Sequence, residues 1–362
     1  MRIATVVCVA LVTAPILGAA AEPEGAAWST RVWRSSDGLP DPSLTGVAQT
    51  GDGFLWLATR RHLSRFDGVR FDSFPAGDVL PVAATIRLLQ PARDGGAWVV
   101  SSQDAVLHLD GRGAPRTVKG PSATDRTEAL LEDDDRALWL AYRDGAVGRL
   151  RGGVERRFGV ADGLAAGSVC ALAKDRQGRV WFAHSRRVGI FDGTRFVTRN
   201  TVGAAFTRLT RAADGGMWIV SGHQIFKHDG ADRLELRGEL PAEHARARVV
   251  VVLEARDGGL WIGTRHDGLF RYGGSSLESV PVSDSSIRDL FEDREGNLWV
   301  GTTGGGLNRV QPRAVEVEGA ATGLASRLVQ SIAEDARGDL WAATQNGLLL
   351  RRTKDGWGAR TR

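Results

Sequence analysis

Glu292-Asp293-Arg294-Glu295-Gly296-Asn297-Leu298-Trp299-Val300-Gly301-Thr302, closed by Gly306-Leu307-Asn308-Arg309, is the cleanest copy of a phrase that returns along the chain. Copies surround Trp56, Trp98, Trp139, Trp181, Trp218, Trp261, Trp299 and Trp341, at steps of 42, 41, 42, 37, 43, 38 and 42 residues. Only Trp28, Trp33 and Trp357 stand outside the series. A recurrence of about 40 residues marks one supersecondary unit used repeatedly.

The unit ending at Arg309 shows what is repeated. Ile287 to Phe291 is a short apolar run, Asp293 to Gly296 a turn, and Asn297 to Thr302 a second strand carrying the Trp. A Gly-rich turn, Thr303 to Gly306, leads to a third strand, Leu307 to Val310. Ala314-Val315-Glu316-Val317-Glu318 alternates strictly and reads as a fourth. Four short strands cannot cover both their faces alone, whereas sheets stacked radially cover one another. The expected fold is therefore all-β, a β-propeller of four-stranded antiparallel blades. Helical repeats are excluded by the Gly and Asp-Gly turns every few residues. The Trp is expected to pack between neighbouring sheets, as a large apolar contributor to the core, and not to serve as a sugar platform. Asp175-Arg176-Gln177-Gly178, Asp293-Arg294-Glu295-Gly296 and Asp335-Ala336-Arg337-Gly338 read as structural turns. They lack the alternating acidic ligands of a calcium loop.

The repeated phrase, with Gly305-Gly306-Leu307-Asn308-Arg309, resembles the two-component regulator propeller repeat. The opening, Val32-Trp33-Arg34-Ser35-Ser36-Asp37-Gly38-Leu39-Pro40 through Arg65-Phe66-Asp67-Gly68-Val69-Arg70-Phe71, is similar to the start of periplasmic sensor domains built from it. The likeness covers nearly all of the chain after its first residues. It implies an extracytoplasmic ligand sensor. In that family the propellers precede a further β-domain, a membrane helix, and a histidine kinase or diguanylate cyclase. Here no such segment follows the repeats, so the resemblance implies an output supplied by a partner or by a C-terminal part outside this sequence.

Residues 1–21 combine Arg2, an apolar stretch from Ile3 to Leu17, and Ala19-Ala20-Ala21. This reads as a cleaved signal peptide, leaving 22–362 as a periplasmic or secreted propeller sensor domain with no further boundary and no membrane span. After cleavage Cys170 is the sole cysteine, so no intrachain disulfide is available, and the apolar run Val169-Cys170-Ala171-Leu172 marks it as an inert buried thiol. Basic residues (47) barely exceed acidic ones (43), for a net charge of +4. All but four of the basic residues are arginine. The charges are interspersed without a basic stripe, which argues against a nucleic-acid partner.

Trp28 to Arg34 reads as a lone strand before the first repeat, and the chain ends soon after Leu348-Leu349-Leu350, the third strand of the last. Pairing the two would close an eight-bladed ring and remove both open edges. The resemblance favours the other arrangement, a seven-bladed ring with the Trp341 repeat starting a second propeller. Asp37-Gly38-Leu39-Pro40 and Asp162-Gly163-Leu164 are expected to be turns between blades.

In a propeller the turns between second and third strands gather with the blade-to-blade loops at one mouth of the central channel, the natural ligand site. Those turns carry Arg60, Arg61 and His62; Gln103 and Asp104; Arg143 and Asp144; Arg186 and Arg187; His223 and Gln224; Arg265, His266 and Asp267; Thr303 and Gly304; Gln345 and Asn346. The candidate ligand-binding residues are Arg60, Arg61, His62, Arg143, Asp144, Arg186, Arg187, His223, Arg265, His266, Gln345 and Asn346. Such a ring suits a small anionic or carbohydrate ligand through charge-assisted and bidentate hydrogen bonds.

No catalytic constellation is legible, and no cofactor or metal is expected: the chain lacks H-E-x-x-H, G-x-S-x-G, a phosphate-binding loop and C-x-x-C. The chain is read as a non-enzyme. The alternative is a propeller lyase using His62, His223 and His266 with a divalent metal, since the chain also resembles, distantly, streptogramin-lyase-like propellers. Their repeats continue with Phe-Thr-Glu after the Trp, where this chain has Gly-Thr.

Overall fold

The computed structural model describes residues 27–80, 84–110, 114–122, 126–167, 169–204, 206–231, 233–274, 276–313, 323–324, 328–337, 339–353 and 356–359. The expected signal peptide, the Ala314–Glu318 strand and the Cys170 side chain lie outside what is described.

Eight four-stranded antiparallel sheets form, one around each periodic Trp. Blade 1 comprises Leu44–Gln49, Leu55–Thr59, His62–Phe66 and Phe71–Pro75. The pattern repeats for blade 2 (Ile86–Pro91 to Pro115–Lys119), blade 3 (Thr127–Glu132 to Val154–Phe158), blade 4 (Val169–Lys174 to Phe196–Thr201), blade 5 (Thr207–Arg211 to Leu234–Glu239) and blade 6 (Val249–Glu254 to Leu277–Val280). Blade 7 contains Ile287–Glu292, Leu298–Thr302 and Leu307–Pro312, and its outer strand is Trp28–Trp33.

The second strand of each blade in the ring is its most buried, because it packs on both faces; Leu298–Thr302 and its six counterparts are buried at every position. Trp56 shares a core cluster with Ile86, Leu89 and Val99 of blade 2. Trp98 packs with blade 3, Trp139 with blade 4, Trp181 with blade 5 and Trp218 with blade 6. Trp299 of blade 7 packs with Leu44, Val47 and Leu57 of blade 1. The wheel therefore closes after seven blades. The Trp is the wedge between sheets, as its spacing implied.

The described residues divide into two compact units, one spanning Thr30–Gln311 and one holding the C-terminal residues from Pro312. The second unit contains a single sheet of Val329–Glu334, Leu340–Thr344, Leu349–Thr353 and Gly356–Ala359 around Trp341. Two expectations are corrected here. The N-terminal strand does not complete the Trp341 sheet, which takes its outer strand from Gly356–Ala359. Nor is an alternating run after Arg309 needed as the outer strand of blade 7, because Trp28–Trp33 fills that place. The physical reason is Trp33: it is 3% exposed, lies 5.3 Å from Trp299 and meets Phe66 edge-on at 5.4 Å. An aromatic that fits the blade 7 to blade 1 seam anchors its strand there. Gly306 makes room for it. Its φ is +87°, and a Cβ there would fall 2.2 Å from the Trp33 carbonyl oxygen.

The turns expected between blades are confirmed. Ser35–Asp37 and Val160–Asp162 are single 3-10 turns ended by Gly38 and Gly163, both with φ +94°. Leu39 and Leu164, just after them, are buried.

Candidate ligand site at the channel mouth

One end of the ring is assembled by the repeats themselves. Turns between second and third strands are stitched by backbone hydrogen bonds to blade-to-blade loops, either the one entering the same blade or the one leading to the next. Ile86 N–H donates to the Arg60 carbonyl, Arg143 N–H to Arg126, Val202 N–H to Arg186, Leu240 N–H to His223, Arg265 N–H to Arg248 and Thr303 N–H to Ser286. The two kinds of loop therefore share one face, as expected from sequence.

A cavity of about 430 Å³ runs down the axis, lined by the innermost strands of all seven ring blades, including Thr45, Glu128, Arg208, Val250 and Arg288. A second cavity of about 630 Å³ opens at the other end, bordered by Lys174, Arg176, Arg211, Arg256 and Glu292. Of the seven innermost strands, five bring their second residue to the lining of the axial cavity, Thr45, Glu128, Arg208, Val250 and Arg288, and Arg87 holds the same place in blade 2. In six of the seven a bulge sits at that residue, as between Ile287 and Asp289. A bulge re-aims a side chain relative to the strand. These residues lie in strands, outside the turns that carry the sequence candidates. Their spacing is nonetheless regular: in six blades the second residue of the innermost strand stands eleven before the Trp, and in blade 5 Arg208 stands ten before.

The three channel arginines are not equivalent. Arg87 donates to the Thr127 carbonyl at 2.7 Å and lies near Asp104 (3.6 Å) and Glu128 (3.7 Å). Arg208 donates from Nε to the Val250 carbonyl at 2.6 Å. Both reach across to the next blade and tie the ring together. Arg288 makes no hydrogen bond or ion pair among the described residues, although the same reach would take it to blade 1. Burial pulls its guanidinium below the ordinary value, with further lowering from the charges of Arg265 and Arg60. Next to it, Asp289 accepts N–H bonds from Val47 (2.8 Å) and Leu290 (3.0 Å). Enclosure in the channel wall nonetheless pushes its carboxyl up to about 7.

The candidates from sequence are distributed as follows. Arg60, Arg61, Arg143, Asp144, Arg186, Arg187, Arg265 and His266 are exposed at the mouth turns, and His62 and His223 are half-buried. Several already have partners: Asp144 pairs with Arg157 at 2.6 Å, Arg186 Nε donates to the Val202 carbonyl, and His223 lies 3.9 Å from the Glu239 carboxylate. Gln345 and Asn346 belong to the C-terminal unit, not to this ring. His62, His223 and His266 sit on blades 1, 5 and 6 and do not converge. Among the described residues no three His, Cys, Asp or Glu side chains are grouped to hold a metal. Two histidines outside the candidate set have structural work. His184 is fully buried, with Nδ1 accepting from Ala165 N–H and Nε2 meeting the Gly167 carbonyl, and His108 pairs with Asp94 at 3.0 Å.

Part of the arginine content serves the repeat. The last residue of the Gly-Leu-x-Arg phrase is the cross-strand partner of the Trp: Arg149 opposite Trp139, Arg271 opposite Trp261, Arg309 opposite Trp299 and Arg351 opposite Trp341. Their guanidinium groups lie 4.9 to 6.0 Å from the ring centroids, within cation–π range. Arg149, Arg271 and Arg351 also pair with an acid of the preceding turn, Asp133, Asp257 and Asp339 respectively.

Comparisons with known proteins agree with this architecture. The sequence has no match among curated proteins. The extracellular domain of the putative hybrid two component system BT3049 from B. thetaiotaomicron superposes with a TM-score of 0.71 at 17% identity, over 92% of this chain and 49% of that one. The corresponding domain of BT4673 from the same organism gives 0.64 at 16% identity, over 92% and 46%. This chain thus spans about half the length of those domains. Virginiamycin B lyase from Staphylococcus aureus gives 0.65 at 14% identity, over 78% of this chain and 99% of the lyase. At such identities the likeness establishes the propeller fold. No described helix is long and apolar enough to cross a membrane. The chain is a β-propeller in which two segments, residues 281–304 and 323–346 around Trp299 and Trp341, match the two-component regulator propeller family.

Proposed function

We propose that this chain is the extracytoplasmic ligand-sensing propeller of a two-component-type signalling system. It binds a small anionic or carbohydrate ligand at the channel mouth and passes the signal to a kinase or cyclase, as a partner or as a further part of the same protein. The observation that carries the reading is the arginine-rich mouth over a 430 Å³ axial cavity, in a chain bearing this family's repeats. Residues 1–21 act as the export signal, and the mature protein is periplasmic or secreted. The sensor-domain likeness supports that location and a non-enzymatic role.

Thermal-shift measurement against a panel of sugar acids and neutral oligosaccharides tests the reading. A ligand at a hundredfold excess over its dissociation constant stabilises the folded state by about 2.7 kcal/mol, an easily read shift. No stabilisation anywhere in a broad panel would refute it. The lyase alternative is supported by likeness of fold alone, and the scattered mouth histidines give it no metal site.

A further inference from the structure

The innermost strands also tie the blades together at the end opposite the mouth, and one seam departs from the pattern. The last residue of each innermost strand stands across from the residue before the Trp, as Glu254 does from Leu260 and Arg211 from Met217. At four seams that last residue accepts a backbone N–H from the first turn of the preceding blade. Gln49 takes Arg294 N–H at 3.0 Å, Glu132 takes Arg93 N–H at 3.0 Å, Glu254 takes Ala213 N–H, and Glu292 takes Arg256 N–H at 3.1 Å. Two further seams use other devices. Lys174 pairs with Asp134 of blade 3 at 2.6 Å, and where Pro91 holds the place, Gly51 N–H donates to the Gly95 carbonyl. At the seam of blades 4 and 5 the residue is Arg211, and the matching turn residue of blade 4 is Arg176. A guanidinium only donates, so Arg211 cannot accept the Arg176 N–H.

Both arginines line the cavity of about 630 Å³, together with Lys174 and Arg256. Leu131, Leu209, Leu253 and Phe291 give the same cavity an apolar wall. Its acids, Glu254 and Glu292, are engaged by the N–H groups named above, and Glu254 also accepts from Trp218 Nε1 at 2.8 Å. Water can satisfy exposed guanidinium groups. What marks this seam is the exchange of an acceptor for a donor at one place in a pattern of seven, inside a cavity with apolar walls.

We propose that this cavity is a second ligand site, separate from the mouth, for a small amphipathic carboxylic acid. The ligand carboxylate stands where Glu or Gln stands at the four regular seams. It accepts from the Arg176 N–H and from the Arg211 guanidinium, whose paired donors match a carboxylate. The hydrocarbon body lies against Leu209, Leu253 and Phe291, where leaving water favours it. The site goes beyond the mouth reading and does not depend on it.

Calorimetric titration of the whole chain with octanoate and with its neutral counterpart octanamide, at constant ionic strength, tests the site. Octanoate is expected to bind, and octanamide to bind about tenfold more weakly, as loss of a charge-assisted hydrogen bond implies. Arg211→Ala should weaken octanoate by about the same factor. Arg187→Gln, in the blade 4 mouth turn, should leave it unchanged. Arg211→Glu restores the acceptor of the regular seams. It should abolish octanoate binding and, unliganded, melt no lower than the parent chain, because its own carboxylate then caps the Arg176 N–H. No octanoate binding, equal binding of octanamide, or parent-like binding by Arg211→Ala and Arg211→Glu overturns the proposal. A lower Tm for Arg211→Glu would also count against it, by showing that Arg211 serves the seam itself. None of these outcomes bears on stabilisation by ligands at the mouth, so the sensor reading stands or falls separately.

Discussion

At the residue scale, the repeat is held by where each indole N–H goes. Trp139, Trp181, Trp299 and Trp341 donate Nε1–H to the Asp six residues earlier, at 2.6 to 2.9 Å. Where that Asp has become Ala, as at Ala92 and Ala212, Trp98 and Trp218 donate instead to Glu132 and Glu254 of the next blade, both at 2.8 Å. The degraded phrases are thus compensated from the neighbouring blade. Blade 1 has neither device. Thr50 occupies the Asp position, its hydroxyl bonds Asp52, and Trp56 Nε1 is buried without a partner. Thr50→Asp should supply the missing acceptor, with Arg65 across the strand from Trp56 to balance the charge. A gain of about 1 kcal/mol is expected, read as a Tm higher by about 2 °C. A lower Tm would show that the second carboxylate beside Asp52 dominates. Asp289 gives a pH prediction. Its folded-state pKa, about 7, lies above the ordinary 3.8, so its contribution is fully present below about 3.8 and is lost as pH rises through 7. Asp289→Asn cannot ionise. The variant should gain on the parent between pH 5 and 8.5, by on the order of 2 kcal/mol once the opening to channel water is discounted. Parallel Tm profiles across that range would contradict this.

At the level of elements, the blades were legible and their closure was not. The Trp period and the Gly-centred turns specify each antiparallel sheet locally, so strands two and three fall where their residues place them. Which strand covers the open edge of blade 7 depends on a contact between Trp33 and Trp299, 266 positions apart, and no periodicity announces it. The same limit hid Arg288. Ligand contacts in a sequence are sought in turns, but in six of the seven ring blades a bulge near the start of the innermost strand re-aims a strand residue. Closure can be broken at either partner. Trp33→Ala removes an aromatic that is 3% exposed and touches Trp299 and Phe66, a loss of about 3–5 kcal/mol. Gly306→Ala forces a Cβ against the Trp33 carbonyl at a positive-φ position, costing on the order of 2 kcal/mol. Both should lower the Tm and increase hydrogen exchange in Trp28–Trp33 and Leu307–Pro312 before the other strands. Uniform loss of protection around the ring would argue that the seam is no weaker than the other blade contacts.

For the whole molecule, the seven-blade ring accounts for its own stability. Every seam described between its blades carries a buried Trp, and the last strand of the circle is supplied from the N-terminal side. The Trp341 sheet differs. Ile332, Leu340 and Leu349 are 65, 41 and 48% exposed, whereas their counterparts in blade 7, Leu290, Leu298 and Leu307, are all under 7%. A sheet that leaves its blade-facing side chains in water gains little from burial, which scales with the apolar area removed from solvent. A chain ending at Arg313 should therefore fold cooperatively, with a Tm within a few degrees of the full chain. It should also be less prone to self-associate, since three exposed leucine and isoleucine side chains are gone. Scanning calorimetry with light scattering on the two chains decides the matter. If the shortened chain unfolds broadly, the ring depends on the C-terminal sheet, and the closed seven-blade unit is not the folding unit of this protein.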